Sequence, residues 1–498
     1  MKKAVLMVLT LLFSILSSLF AQWEPDERLT VDVADSYTSE NNAWCIAAEE
    51  DTVHVVWYDH RDANWEIYYK RSTDGGTSWG TDTRLTDDLN FSRFPSVAVE
   101  GSDVHVVWYD IRDGNWEIYY KRSTDGGTSW GTDTRLTDNI NFSFCPSIAV
   151  SGSDVHVVWY DTRDGNWEIY YKRSTNGGTS WGTDSRLTNN FANSWYPSVA
   201  VEGSDVHVAW YDTRDGNWEI YYKRSTNGGT SWGTDTRLTD NPAESRYSSI
   251  AVSGSNVHVV WRDKRDGNHE IYYKRSTNGG TSWGTDTRLT DDIASSQYPS
   301  VVSSGNNVHV VWIDYRDGND ETYYKRSTDG GTSWELDTRL TNDPASSSYP
   351  SVAVSGSYVY VVWCDERDGN WEIYYKRNPT GNAGIKIDLP AETTRTRVYL
   401  KVSPNPCRDR VTIRYHIGQR AECIELKIYD VSGCLVKVFS LPTPYSPDLA
   451  PRSGAGLLPT VVSWDGRDDY GTLLPSGIYI CTLQSNGNKK IEKILLVR

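Results

Sequence analysis

A tryptophan recurs every 51 residues along most of this 498-residue chain, at Trp57, Trp108, Trp159, Trp210, Trp261, Trp312 and Trp363. Each sits in a phrase like Val106-Val107-Trp108-Tyr109-Asp110, so the chain carries seven near-identical units. A unit this small cannot bury both faces of its own sheet, and a fixed period marks units that bury one another. The stretch from Pro95 to Asp138 divides into four strand-like runs, at 96–99, 103–110, 116–123 and 130–137. Val, Trp, Tyr, Ile and Thr fill them, as pleated surfaces favour. Glu100-Gly101-Ser102, Arg112-Asp113-Gly114-Asn115 and Asp125-Gly126-Gly127-Thr128 separate them, and such sequences supply the positive φ of tight hairpins. The unit is a four-stranded antiparallel blade. Seven of them predict an all-β, seven-bladed propeller.

Counting strands predicts how the ring closes. Arg-Leu-Thr marks the fourth strand at 28, 84, 135, 186, 237, 288 and 339. The first copy precedes any first strand, and the last unit stops after Tyr374–Arg377. The N-terminal segment is therefore expected to supply the outer strand of blade seven. Eighteen of the 22 tryptophans fall in three slots, those of Trp57, Trp65 and Trp79, which reads as packing between blades. His54, His105, His156, His207, His258 and His309 share one strand slot, with Tyr360 in the seventh copy. Identical slots on separate blades do not converge on a metal, so these are read as hydrogen bonders between blades. No metal site and no cofactor are expected.

The ends have a different character. Lys2-Lys3, the apolar run 4–20 and Ala21 read as a signal peptide over 1–21, leaving a mature chain without a membrane span. The net charge of −16 becomes −18 without those two lysines, which disfavours nucleic acid and anionic lipid as partners. The seven cysteines form no CxxC, so zinc is not expected. Cys407, Cys423, Cys434 and Cys481 crowd the last hundred residues, where one or two bridges of open pairing are expected.

Ser72-Thr73-Asp74-Gly75-Gly76-Thr77-Ser78-Trp79 resembles the Asp box, S-x-D-x-G-x-x-W, of the sialidase-like (BNR repeat) propellers, and six copies occur. The resemblance implies a structural hairpin between third and fourth strands, on the face opposite the ligand site. Its acceptors are Asp74, Asp125, Asn176, Asn227, Asn278 and Asp329. Asn in three copies keeps the acceptor without the charge, so the box needs neither an acid nor a metal ligand. Sialidases of this family hold a substrate carboxylate with three arginines, and Arg93-Phe94-Pro95 partly matches the context of the first. Arg246 holds the same slot three units on, and Arg262 is out of pattern in its Trp-Tyr-Asp phrase. The family is mostly six-bladed, and no unique Tyr/Glu pair stands out here, so no catalytic residue is assigned. Asp110 to Glu117, whose polar slots are filled alike in every unit, reads as a hairpin with paired charges rather than seven cation or sugar sites.

The copies diverge at two slots expected on one face. One reads His60, Ile111, Thr162, Thr213, Lys264, Tyr315, Glu366; the other reads Arg93, Phe144, Trp195, Arg246, Gln297, Ser348. The candidate ligand-binding set is Arg93, Phe144, Trp195, Arg246, Gln297, His60, Lys264 and Tyr315. After the propeller (22–380) and a linker (381–397), residues 398–498 read as a small β-sandwich. Val402-Ser403-Pro404-Asn405-Pro406, Asp430-Val431-Ser432-Gly433 and Pro475-Ser476-Gly477-Ile478-Tyr479 resemble the C-terminal sorting domain of type IX secretion cargo. That implies a partner in the secretion machinery, and export through the periplasm to the medium or outer cell surface; an adhesive Ig-like module is the alternative. The function expected is a monomeric, non-enzymatic propeller that binds glycan. A sialidase-like glycoside hydrolase and a protein-binding scaffold are the alternatives.

Overall fold

The computed structural model describes residues 23–39, 45–379, 399–403, 410–416, 424–430, 435–439, 460–485 and 488–497. The 1–21 leader, the 381–397 linker, and Cys407, Cys423 and Cys434 lie outside the described residues. Cys481 is a buried free thiol. Backbone contacts divide the chain into two compact units, Met1–Ile385 and Lys386–Arg498.

Seven antiparallel sheets build the first unit as propeller blades. In blade two the strands run Ser92–Glu100, Asp103–Asp110, Glu117–Ser123 and Thr134–Arg135, from the inside outwards. Blade five repeats this with Ser245–Ser253, Asn256–Asp263, Glu270–Ser276 and Thr287–Arg288. Blade seven takes Ser347–Ser355, Tyr358–Asp365 and Glu372–Asn378 from one end of the propeller and Glu27–Arg28 from the other. Glu27 pairs with Tyr375 and Arg28 with Tyr374, so the ring closes as the strand count requires. Trp23 also completes a ring of its own. It packs edge-on to Tyr324 at 4.9 Å, as Trp79 does to Tyr375 and Trp130 to Tyr69.

The polar slots of the repeat are consumed inside each blade. Asp110, fully buried, accepts from Ser92 Oγ at 2.7 Å, Trp108 Nε1 at 3.0 Å and the Arg112 guanidinium at 2.5 Å. Arg112 reaches on to Asp133 at 2.6 Å. Glu117 is equally buried and accepts from Thr137 Oγ1, from Arg135 at 2.9 Å and from Asn115 at 2.8 Å. Charges removed from water must be paired, and these are. The histidine slot departs from the sequence reading. His105 Nδ1 lies 2.7 Å from Tyr120 Oη on the next strand of its own blade, so the bond is within the blade. The tyrosine stands between that imidazole and the neighbouring blade.

The Ser-Thr-Asp/Asn-Gly-Gly hairpins are tied by their acceptor. Asp74 Oδ1 accepts the backbone N–H of Thr77 at 3.0 Å and of Ser78 at 2.8 Å. Hydrogen bonds from Ser78 hold the Asp74 carboxyl down at about 2. Asn176 accepts from Ser180 N–H at 2.9 Å and donates to Ser180 Oγ at 2.8 Å, so the amide does the same work. Gly127, at φ +82°, lets Tyr69 of the previous blade in; a Cβ there would stand 1.9 Å from its hydroxyl oxygen. Gly127→Ala is expected to cost about 2 kcal/mol or more, from strain and overpacking together. Urea unfolding of that variant checks it, and an unchanged midpoint would contradict the packing described.

In the second unit, Tyr399–Ser403, Val411–His416 and Thr460–Trp464 form one sheet. Leu435–Phe439, Ile424–Asp430, Gly477–Ser485 and Asn488–Leu496 form another. Val411, Ile413, Leu426, Ile428, Trp464 and Leu483 share one apolar core between them.

Candidate functional site

In six blades the inner strand breaks register near its start. Arg93 pairs with Tyr109 and Ser96 with Val107, leaving Phe94 and Pro95 as a bulge. The first bulge residue takes positive φ in six blades: Phe94 (54°), Cys145 (50°), Tyr196 (51°), Tyr247 (55°), Tyr298 (51°) and Tyr349 (53°). That conformation costs a non-glycine residue about 1–2 kcal/mol, so packing must impose it. Tyr196 and Tyr247 lie 5.3 Å apart by ring centroid, Tyr247 and Tyr298 4.8 Å, and Tyr298 and Tyr349 5.1 Å. These touching rings form a partial collar, spanning blades four to seven. Next to it, alanines and valines of all seven blades line a cavity of about 210 Å³.

The bulge re-aims the residue before it, which is the variable slot. Arg93, Phe144, Trp195, Arg246, Gln297 and Ser348 all pair with the end of the second strand. The slot has a seventh member, Tyr37, paired with Tyr58. Sequence spacing hid it: Ser36 reaches Asp59 across 23 residues, whereas Ser92 reaches Asp110 across 18.

Three predicted residues, Trp195, Arg246 and Gln297, join one cluster across blades four to six. Trp195 packs on Trp218 with centroids 4.6 Å apart and planes tilted by 32°, and the Arg246 guanidinium lies 4.6 Å from the Trp218 ring. Arg246 pairs with Glu244 at 2.7 Å, and His269 Nε2 lies 2.9 Å from the same carboxylate. Burial pushes the Glu244 carboxyl up, but His269, Arg246 and Arg262 outweigh it and hold the group below the usual range. Arg262 donates to Gln297 Oε1 at 2.5 Å and lies 4.5 Å from the Tyr247 ring.

Arg262 is the anomaly. It is only 9% exposed, faces Arg246 directly across the strand pair, and has no carboxylate at ion-pair distance among the described residues. Its Nε has no hydrogen-bond partner among them either. Glu244, which Arg262 and Arg246 both help to hold ionised, is the nearest counter-charge to this pair of guanidiniums. Like charges opposite one another destabilise a sheet, so this arginine pair would gain from a further negative charge.

Of the other predicted residues, only Lys264 touches this cluster. His60 and Arg93 both pack on Trp65, at 4.8 and 5.0 Å. Phe144 joins the rings of Tyr109, Trp116 and Trp167. Lys264 is exposed, its backbone N–H bonded to Glu244 O at 3.1 Å, and Tyr315 is 52% exposed on the rim. Glu244, His269, Trp218 and Asp320 were not singled out from sequence. Two of them carry a readable signal, because His269 and Asp320 replace tryptophan in the Trp65 slot. Burial raises the Asp320 carboxyl, to which Ser348 Oγ donates at 3.3 Å.

The profile of one protein family, described as BNR repeat-like domain, matches residues 10–259. No curated protein matches the sequence. Among solved structures, the chain is similar to the polysaccharide lyase Uly1 at 12% identity and TM-score 0.48, covering 72% of this chain and all of that one. It is similar to the phage phi92 endosialidase at 10% identity and TM-score 0.45, covering 95% of this chain and 87% of that one. Trypanosoma rangeli sialidase matches at 11% identity and TM-score 0.43, covering 83% of this chain and 85% of that one. At these identities and scores the likenesses lend this chain no substrate.

Proposed function

Because this chain belongs to the BNR repeat-like domain family, we propose that it is a carbohydrate-directed propeller that takes an acidic sugar at Arg262. The observation that carries the reading is a buried guanidinium with no carboxylate at ion-pair distance among the described residues, set opposite Arg246. A sugar carboxylate would supply the missing charge, and the guanidinium fork suits that geometry. Trp195 and Trp218 offer apolar ring surface beside it, which the C–H face of a pyranose can cover. In this reading the seven-fold charge pairs are scaffold, the Ser-Thr-Asp/Asn hairpins are Asp boxes, and residues 398–498 sort the chain for secretion and cell-surface display.

The test is a glycan array probed with the full chain. Saturable binding to sialylated or uronate-bearing glycans is expected, weakened about 30-fold or more by Arg262→Ala and also reduced by Trp195→Ala. Binding to neutral glycans alone, or to none, would overturn the reading and leave a protein-binding scaffold.

A second reading, turnover, is favoured by Asp320. A carboxyl raised by burial is suited to act as a general acid. A chromogenic sialoside or uronide decides it: product release lost in Asp320→Asn makes the chain a glycoside hydrolase. Binding without release makes it a lectin-like module.

A further inference from the structure

The loops that lead from each outer strand to the next inner strand carry an apolar residue at the same place in all seven blades. Val33, Leu89, Ile140, Phe191 and Ile293 occupy it, with Pro242 and Pro344 in the other two. These side chains are among the most exposed apolar groups of the protein: Val33 97%, Leu89 97%, Ile140 93%, Phe191 107% and Ile293 98%. Both prolines are exposed as well. Scattered surface leucines need no explanation, but a slot that is apolar and fully exposed in every copy does.

The loops are built to hold these tips outward. In blade two's loop, Asn90 N–H donates to Asp88 Oδ1 at 2.8 Å, and Asn64 Nδ2 donates to the carbonyls of Asp88 at 2.9 Å and Asn90 at 2.7 Å. Leu89 is the residue between the clamped carbonyls. The same clamp recurs around Val33, from Asn370 to Asp32 O and Ala34 O, and around Ile140, from Asn115 to Asn139 O and Asn141 O. Asn166 and Asn268 hold the loops of Phe191 and Ile293 in this way. Seven equivalent clamps on a closed ring of equivalent blades set the tips at one level along the axis. They cannot fold back onto the protein.

We propose that this ring of tips seats the propeller on a lipid surface with zwitterionic headgroups. Coplanar, mostly aliphatic tips match a flat apolar layer, where only shallow insertion is possible. Charge selects the headgroup. The seven loops contain no lysine or arginine, and six of them contain aspartate or glutamate. Asp87, Asp138, Asp240 and Asp291 beside the tips are 86–88% exposed, each holding one oxygen 2.9–3.0 Å from the arginine three residues before it and the rest of its carboxylate to solvent. Carboxylates complement the outermost ammonium of a choline headgroup, are repelled by anionic lipid, and would repel a second copy docked face to face. The proposal does not rest on the glycan reading, since no tip belongs to the Arg262 cluster.

The experiment is flotation of the full chain with phosphatidylcholine vesicles, and with vesicles containing phosphatidylserine. Flotation with phosphatidylcholine, weaker with phosphatidylserine, is expected. The triple variant Leu89→Ser, Ile140→Ser, Phe191→Ser should bind at least about tenfold less, because each tip forfeits most of its transferable apolar area. Its melting temperature should not change, since the tips contact solvent. No flotation of the unaltered protein overturns the proposal, as does flotation of the triple variant at the unaltered level. Loss of array binding in the triple variant, without any vesicle binding by the parent, would assign the tips to a glycan or protein partner and overturn it too.

Discussion

Acidification from pH 7 to pH 4.5 should remove more stability from this protein than any single side-chain change. Six histidines are buried to 2% exposure or less, each against a tyrosine hydroxyl. Burial, with an arginine nearby, lowers five of them from 6.5 to about 4 and His309 to about 3. The unfolded chain therefore binds protons near pH 6.5 that the native chain refuses until about pH 4. Stability is full above pH 6.5 and falls as pH drops through that window. One such imidazole is worth about 3 kcal/mol, and half that value across six still makes about 9 kcal/mol, comparable to the stability of a whole domain. Urea unfolding at pH 7.5, 6.0 and 5.0 should show a steep fall, with an uptake of about five protons on unfolding at pH 5. His105→Gln keeps an acceptor for Tyr120 but does not titrate, so it should remove about one proton from that uptake. A flat profile between pH 7 and 5 would mean that the imidazoles are not held neutral.

Deleting residues 22–35 should lower the melting temperature by about 10 °C or more and induce aggregation. The segment gives blade seven its outer strand, and without it Glu372–Asn378 becomes an exposed sheet edge. The deletion also takes Asp26 away from Arg367 and Lys376, which pair with it at 2.8 and 2.6 Å, and it removes Trp23 from Tyr324. It further leaves buried Glu372 without Arg28 and Thr30, the costly half of a broken pair. Asp26→Ala is the milder companion, expected to destabilise by about 2 kcal/mol without opening the ring. Calorimetry of both separates strand loss from charge loss. A deletion variant as stable as the parent would show that the ring does not depend on its N-terminal strand.

The fold was legible because one phrase was written seven times, and turn glycines, β-branched runs and strand counting agreed. Even the closure by Arg28 could be read, since it is an Arg-Leu-Thr without a blade in front of it. Trp23 could not, because it lacks the Gly-Gly turn that marks its six counterparts. The site was legible only in part. Trp195, Arg246 and Gln297 betray themselves by differing within one column, but Tyr37 was out of phase behind five extra residues. Arg262 was visibly odd, yet its lack of a carboxylate at ion-pair distance depends on what its neighbours do not reach. Glu244, in an otherwise ordinary loop, gave no sign. Reading the Trp65 column for exceptions would have found His269 and Asp320. The positive φ at Phe94 and its counterparts has no sequence mark, because packing imposes it.

Closure by Arg28 on Glu372 joins residues 344 positions apart. A chain made from its N-terminus therefore carries the closing strand first and the blade that receives it last. Until Tyr374 and Tyr375 are made, Glu27 and Arg28 have nothing to pair with, and blade one has no neighbour on one side. Ring formation is the slow, late event that long-range pairing entails. The propeller stays an open, threadable string of blades for as long as it is being synthesised, and becomes a ring in one final step.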